Sequence, residues 1–396
     1  MHLVVSYNGE DILPGTLDNA IAALGQSNRV CEVDFFLEDR WQAEKVLAPM
    51  QEVPFPELTY LQLSISSPDE TLPVIIPDSF LGGSAAPCLR YFCMNGIAFP
   101  GLPKLLLSAT HLVSLYLHLI PHSGYISPEA MIALLSALSS LEQLFLKFKS
   151  RQPRPDRKSR RPPPSKRSVV PALASFHFRG VIEYLEDIVT FIDAPQLDSF
   201  CVTFLNQIDF DTPQLAQFIN RAPKLWKRDA CMQLYVKFYD KFASVGLPAS
   251  SSLDETSEIK IKSRNSNRQL SFIAQVCNSS LSPLTTVEDL FIEGKLRLVW
   301  NNDAIENTLW LKLLLPFTAV KNLYLSKKIA SGIVAALQEL IGGRITDVLP
   351  RLQNVFVEGL EPSGPFQEDI GRFVTARQLS DSDHPIAISD WDGYSM

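Results

Sequence analysis

His118 and His122 stand four residues apart, the spacing that sets two imidazoles on one helix face for zinc. The surrounding run LHLIPHSG defeats that geometry, because Pro121 breaks a helix and no acidic or cysteine ligand lies nearby. Gly82-Gly83-Ser84-Ala85-Ala86 lacks the second glycine of a nucleophile elbow and reads as a flexible turn. No glycine-rich phosphate loop of either usual type is present. The 43 Asp and Glu residues form no distinctive pair. These residues supply no catalytic or metal chemistry, so the chain is read as a non-enzyme with no cofactor.

The chemistry that remains is that of a contact surface, and it follows from a repeated frame. Val287-x-x-Leu290-x-Ile292, Val320-x-x-Leu323-x-Leu325 and Leu352-x-x-Val355-x-Val357 begin 33 and 32 residues apart. Each ends in alternating apolar residues, the mark of a strand with one buried face. The same frame recurs upstream from Val30, Leu58, Leu89, Leu112, Leu141, Leu173 and Leu197 at intervals of 23 to 32 residues. Self-similarity at such a period indicates stacked units that bury their apolar faces only against one another. Between Leu197 and Val287 there is room for two more units. Cys231-x-x-Leu234-x-Val236 and Thr256-x-x-Ile259-x-Ile261 are the candidates, although MQLYVKFYDKFASVGL also reads as a local hairpin.

Helical stretches lie between the strands. DRWQAEKVLAPM, VIEYLEDIVTFID, TPQLAQFINR, QLSFIAQVC and IASGIVAALQELIGG follow the pattern, and SPEAMIALLSALSS starts with Ser127 as cap and Pro128 in the first turn. Thr212-Pro213 repeats that start. Strand, helix, strand implies parallel pairing with right-handed crossovers. The expected fold is an α/β leucine-rich repeat solenoid, a horseshoe with a parallel inner sheet and outer helices, over residues 1–361. PFQEDIGRFVTARQL then reads as a terminal helix, and 362–396 as a C-terminal cap and tail.

In such a strand the residue between the last two apolar positions points to the concave face. That column reads Asp34, Gln62, Cys93, Tyr116, Phe145, His177, Cys201, Phe291, Tyr324 and Phe356. Half of it is Tyr or Phe, the residues expected at interface hot spots, so Tyr116, Phe145, His177, Phe291, Tyr324 and Phe356 form the candidate partner-binding stripe.

One segment breaks the array. Residues 151–167 carry eight Arg or Lys against one Asp, net +7, which leaves about −14 for the rest of a chain whose total is −7. Its prolines and lack of apolar residues predict a disordered insertion over 150–168. Arg157, Lys158, Arg160, Arg161, Lys166 and Arg167 are candidates for nuclear targeting, while the acidic total and the absence of interleaved aromatics weigh against nucleic acid. Six scattered cysteines without a C-x-x-C pair predict reduced thiols, and the lack of a signal peptide or a long apolar run predicts a cytoplasmic or nuclear protein without a membrane partner.

The runs QLSFIAQVCNSSLSPLTTVEDLFIEG, NTLWLKLLLPFTAVKNLYLSKKIASGIVAALQELIGGRITDVLPRLQNVFVEGLEPSGP and GRFVTARQLSDSDHPIAISDWD resemble the fungal F-box-type leucine-rich repeat proteins, most densely from Gln269 to Asp392. The resemblance implies a protein-interaction scaffold. In that family an N-terminal F-box docks onto a Skp-type adaptor of a ubiquitin ligase while the repeats hold the substrate. Too few residues precede Val30 for an F-box, and no LPxE-like start is present, so the alternative is a stand-alone binding protein.

Overall fold

The repeated frames become strands because their alternation suits a pleated sheet packed on one face. The computed structural model describes residues 2–9, 15–51, 53–66, 73–83, 87–150, 167–205, 212–226, 233–247, 257–263, 265–279, 282–294, 307–341, 343–360, 365–380 and 385–391. The chain divides into two compact units, Met1–Asp198 and Ser199–Met396.

The first unit contains β1 (Leu3–Asn8), α1 (Thr16–Leu24), β2 (Val30–Leu37), α2 (Arg40–Met50), β3 (Tyr60–Ile65), β4 (Tyr91–Asn95) and α3 (Leu102–Leu106). It continues with β5 (Ser114–Ile120), α4 (Pro128–Ala137), β6 (Gln143–Phe148), β7 (Ser168–Val169), β8 (Ser175–Gly180), α5 (Ile182–Phe191) and β9 (Ile192–Asp193). Strands β1 to β6 and β8 pair in that order, all parallel. Two-residue strands β7 and β9 pair separately. Every frame residue is buried: Leu112, Leu115 and Leu117, for example, face the helices, as do Leu141, Leu144 and Leu146. Helix α4 starts as expected, with the Ser127 hydroxyl accepting from the Ala130 amide at 3.2 Å. Asp39 caps α2 in the same way, accepting from Gln42 N at 2.9 Å.

The second unit contains β10 (Ser199–Phe204), α6 (Pro213–Asn220), β11 (Gln233–Phe238), β12 (Phe242–Gly246), β13 (Glu258–Lys262), α7 (Ser266–Asn278) and β14 (Asp289–Gly294). It ends with α8 (Asn307–Leu314), β15 (Asn322–Leu325), α9 (Lys327–Gln338), β16 (Asn354–Glu358), α10 (Pro365–Ser380) and β17 (Ala387–Trp391). The spatial order is β10-β13-β12-β11-β14-β15-β16-β17. All neighbours are parallel except that β12 runs against both β11 and β13.

Both readings of the middle therefore hold at once. The Leu234 and Ile259 frames are strands with buried apolar faces, and a hairpin return lies between them, so the chain order is inverted there. The physical reason is length. Three residues join β11 to β12, far fewer than the dozen or so a parallel crossover needs. Gln269 of α7, fully buried, locks this meander by donating from Nε2 to Tyr239 O (2.8 Å) and Ser263 O (2.7 Å). A Cβ at Gly246 would come within 2.7 Å of Ser257 O, so the close approach of β12 and β13 requires glycine. Cys231 and Thr256 lie outside the described residues.

One expectation is corrected. Thr212 precedes α6, but its side chain makes no capping bond; it is buried instead. Within 362–396, the segment 387–391 forms β17, which adds to β16 in parallel register and carries the sheet past residue 361. Its short alternation, Ile386 and Ile388, lacks the full frame that marks a repeat. Strand β1, LVVSYN, lacks the full frame as well. Among the described residues no helix is long and apolar enough to cross a membrane, and Cys31, Cys88, Cys93, Cys201 and Cys277 are free thiols. Each unit has the stacked strand-and-helix construction of an α/β leucine-rich repeat solenoid.

Candidate recognition surface

In the first unit the parallel registers align Asp34, Gln62, Cys93, Tyr116, Phe145 and His177 in one column, opposite the buried leucines. Strands about 4.8 Å apart bring in-register rings into stacking range. Tyr116 and Phe145 stack at 4.3 Å with planes 16° apart, and Phe145 and His177 at 4.1 Å and 9°. All three side chains are half-buried.

The neighbouring column contains Tyr60 and Tyr91, stacked at 4.2 Å and 5°. Both hydroxyls donate to Gln62 Oε1, at 3.0 and 3.2 Å. Gln143 plays the same part further along, accepting from Tyr116 Oη at 2.6 Å and Ser114 Oγ at 3.2 Å. Burial raises the Tyr60 and Tyr91 phenols above the usual tyrosine range. It also pushes the Cys93 thiol up to about 11, so that cysteine is a neutral packing residue. At the start of the column a recess of about 580 Å³ is lined by Ser6, Tyr7, Asn8, Asp34 and Gln62, and burial raises the Asp34 carboxyl.

The second unit repeats the device. Tyr235, Phe291, Tyr324, Phe356 and Ser389 are in register across β11, β14, β15, β16 and β17. Centroids in the four-ring ladder are 4.5, 4.2 and 4.5 Å apart, with planes within 9° of parallel. A polar ladder runs beside it: Asn354 Nδ2 donates to Asn322 Oδ1 at 2.7 Å, and Asn322 Nδ2 to Asp289 Oδ1 at 2.6 Å. The backbone registers are thus reinforced by side chains on both flanks.

The candidate stripe separates into two groups, Tyr116-Phe145-His177 in one unit and Phe291-Tyr324-Phe356 in the other. Five of the six rings are half-exposed. Phe291 is the exception at 1% exposure, because Trp391 crosses it at 5.9 Å and rings stack on both its sides. It supports its neighbours and is not itself a contact residue. Sequence reasoning missed Tyr235, although it occupies the column position between Leu234 and Val236, and missed Trp391, which nothing local marks.

Of the nuclear-targeting candidates, Arg157, Lys158, Arg160, Arg161 and Lys166 lie outside the described residues. Arg167 is held by α5, its Nε donating to Thr190 O at 3.0 Å. His118 lies within β5 and His122 beyond Pro121, where its Nε2 meets Ser150 Oγ at 3.0 Å. No cluster of metal-ligating groups occurs among the described residues. Gly82 and Gly83 both take positive φ, as the turn reading requires.

No family model matches the chain. No curated protein matches it either. Among solved structures it is similar to the leucine-rich repeat-containing protein LegL7 from Legionella pneumophila, at 12% identity over 96% of this chain and 99% of that one, with a TM-score of 0.30. A likeness that low carries no argument, and the repeat assignment rests on the registers and burial within each unit.

Proposed function

We propose that this chain is a non-enzymatic protein-recognition scaffold whose aromatic ladders seat the partner. The observation that carries the reading is the set of half-exposed rings, stacked in register on the sheet face opposite the helices. Rings held this way lose little conformational freedom on binding, and aromatic anchors dominate interface energetics. The resemblance to F-box-type repeat proteins adds a finer reading: the partner is the substrate of a ubiquitin ligase reached through a Skp-type adaptor. The basic segment supports a nuclear destination for the scaffold.

Affinity purification with the full chain tests this, set against a variant in which Tyr116, Phe145, Tyr324 and Phe356 are replaced together by Ser. Each lost anchor is expected to cost about 2 kcal/mol, so the variant should retain no partner. Unchanged capture would refute the ladder as the binding surface. Recovery of Skp-type and cullin subunits supports the adaptor role, and recovery of other proteins alone makes the chain a stand-alone scaffold.

A further inference from the structure

The half of the first unit's open face that carries the ring stack also carries one sign of charge. Strands β4, β5, β6 and β8 contain no Asp or Glu, yet place Asn95, His118, Lys147 and Arg179 two residues beyond the Cys93-Tyr116-Phe145-His177 column. Alternation keeps this fourth-strand-to-eighth-strand row on the same face as the rings. Asn95 is in register with His118, and Lys147 with Arg179. Lys147 Nζ lies 5.1 Å from the centre of the Phe145 ring, and the His118 ring is 5.9 Å from it.

Hydrogen-bonding capacity is left over in the same row. Arg179 Nε, His118 Nε2 and Asn95 Oδ1 are each buried with no hydrogen-bond partner among the described residues. A guanidinium Nε–H is an obligate donor, so burying it without an acceptor is costly until one arrives.

We infer that this corner is a subsite for a carboxylate of an extended acidic peptide segment in the protein partner, received by Arg179 and Lys147 beside the Tyr116-Phe145-His177 stack. The inference deepens the recognition reading and rests on it. Nucleic acid would also suit rings and cations, but its regularly spaced phosphates would extend past this corner over a chain whose remaining charge is about −14, whereas one peptide carboxylate needs only the local cations.

The test is fluorescence anisotropy of the full chain with a labelled Glu-Gly repeat peptide, with the Gln-Gly repeat as control. Binding of the first and not the second, weakened about tenfold or more by Arg179→Gln and retained by Arg179→Lys, is expected. Retention in Arg179→Lys shows that the loss is one of charge and not of folding. No binding at millimolar peptide overturns the inference. So does binding that survives Arg179→Gln but is lost when Arg157, Lys158, Arg160 and Arg161 become Gln, or equal competition by inorganic phosphate, or preference for a single-stranded oligonucleotide. If partner capture depends on the rings but is unaffected by Arg179→Gln and by the acidic peptide, the recognition reading stands and this subsite falls. If capture ignores the rings, the recognition reading itself fails.

Discussion

Trp391 meets Tyr324 edge to face, with ring centroids 5.5 Å apart and planes at 67°. Its strand, β17, is hydrogen-bonded to β16, so the indole must lean back across the ladder to reach β15 and β14. An edge strand with few partners is thereby fastened to the sheet by one large ring. Trp391→Ala should lower stability by about 1–3 kcal/mol, the range for losing a partly buried aromatic and its ring contacts. Urea unfolding checks this. Phe291 should also become accessible, read as increased binding of a hydrophobic dye. An unchanged midpoint and dye signal would mean that Trp391 does not hold the edge.

Leu144 and Phe145 are sequence neighbours on opposite faces of β6. Leu144 is fully buried against the helices, whereas Phe145 is stacked but half-exposed. Leu144→Ala should cost about 2–5 kcal/mol through the cavity it leaves. Phe145→Ala should cost less than half of that and act mainly on partner capture. Equal losses of stability would assign the rings to the core.

The main features of this architecture were legible from sequence because a strand frame has a period of two and a stacked unit has a fixed chain length. All ten frames are strands with buried apolar positions, and within each unit the column position aligns across paired strands, from Asp34 to His177 and from Phe291 to Phe356. What escaped depends on contacts far apart in sequence. No local pattern shows that Trp391 covers Phe291, or that β13 and not β11 lies beside β10. The inversion follows from a three-residue link, whose consequence appears only when the neighbouring strands are known. Tyr235 was readable in principle and was missed because its frame starts on the less regular Cys231.

Arg377 is 3% exposed, and its guanidinium serves as a buried cap. Nη1 donates to Ile345 O and Val348 O at 2.6 and 3.2 Å, and Nη2 to Leu349 O and Pro350 O at 3.0 and 2.8 Å. These carbonyls belong to the turns between α9 and β16, where Leu349 takes a positive φ of 49°. Arg377→Leu strands four acceptors and should cost about 3–5 kcal/mol, the scale for breaking a buried, charge-assisted network. Arg377→Lys should recover little, because one ammonium cannot span the four carbonyls. Thermal unfolding of both variants decides the matter; a Lys variant as stable as the parent would show that charge alone suffices.

His118 makes the fold sensitive to acid. Desolvation first, and Lys147 second, lower its imidazole from the ordinary 6.5 to about 4. The groups facing it are Asn95 on β4, Tyr116 on its own strand, and Phe145 and Lys147 on β6, none of which supplies a negative charge. Between pH 4 and 6.5 the unfolded chain therefore binds a proton at this position that the folded chain refuses. Stability from His118 is complete above pH 6.5 and is lost progressively as pH falls toward 4. Partial exposure of the ring screens the effect, so the slope should be less than that of one full proton. His118→Gln removes the titration and keeps a planar polar side chain. Urea midpoints of the parent should fall more steeply from pH 7 to 4.5 than those of the variant. Parallel curves would mean that His118 takes up its proton alike in the folded and unfolded chains, and that neither burial nor Lys147 holds it neutral.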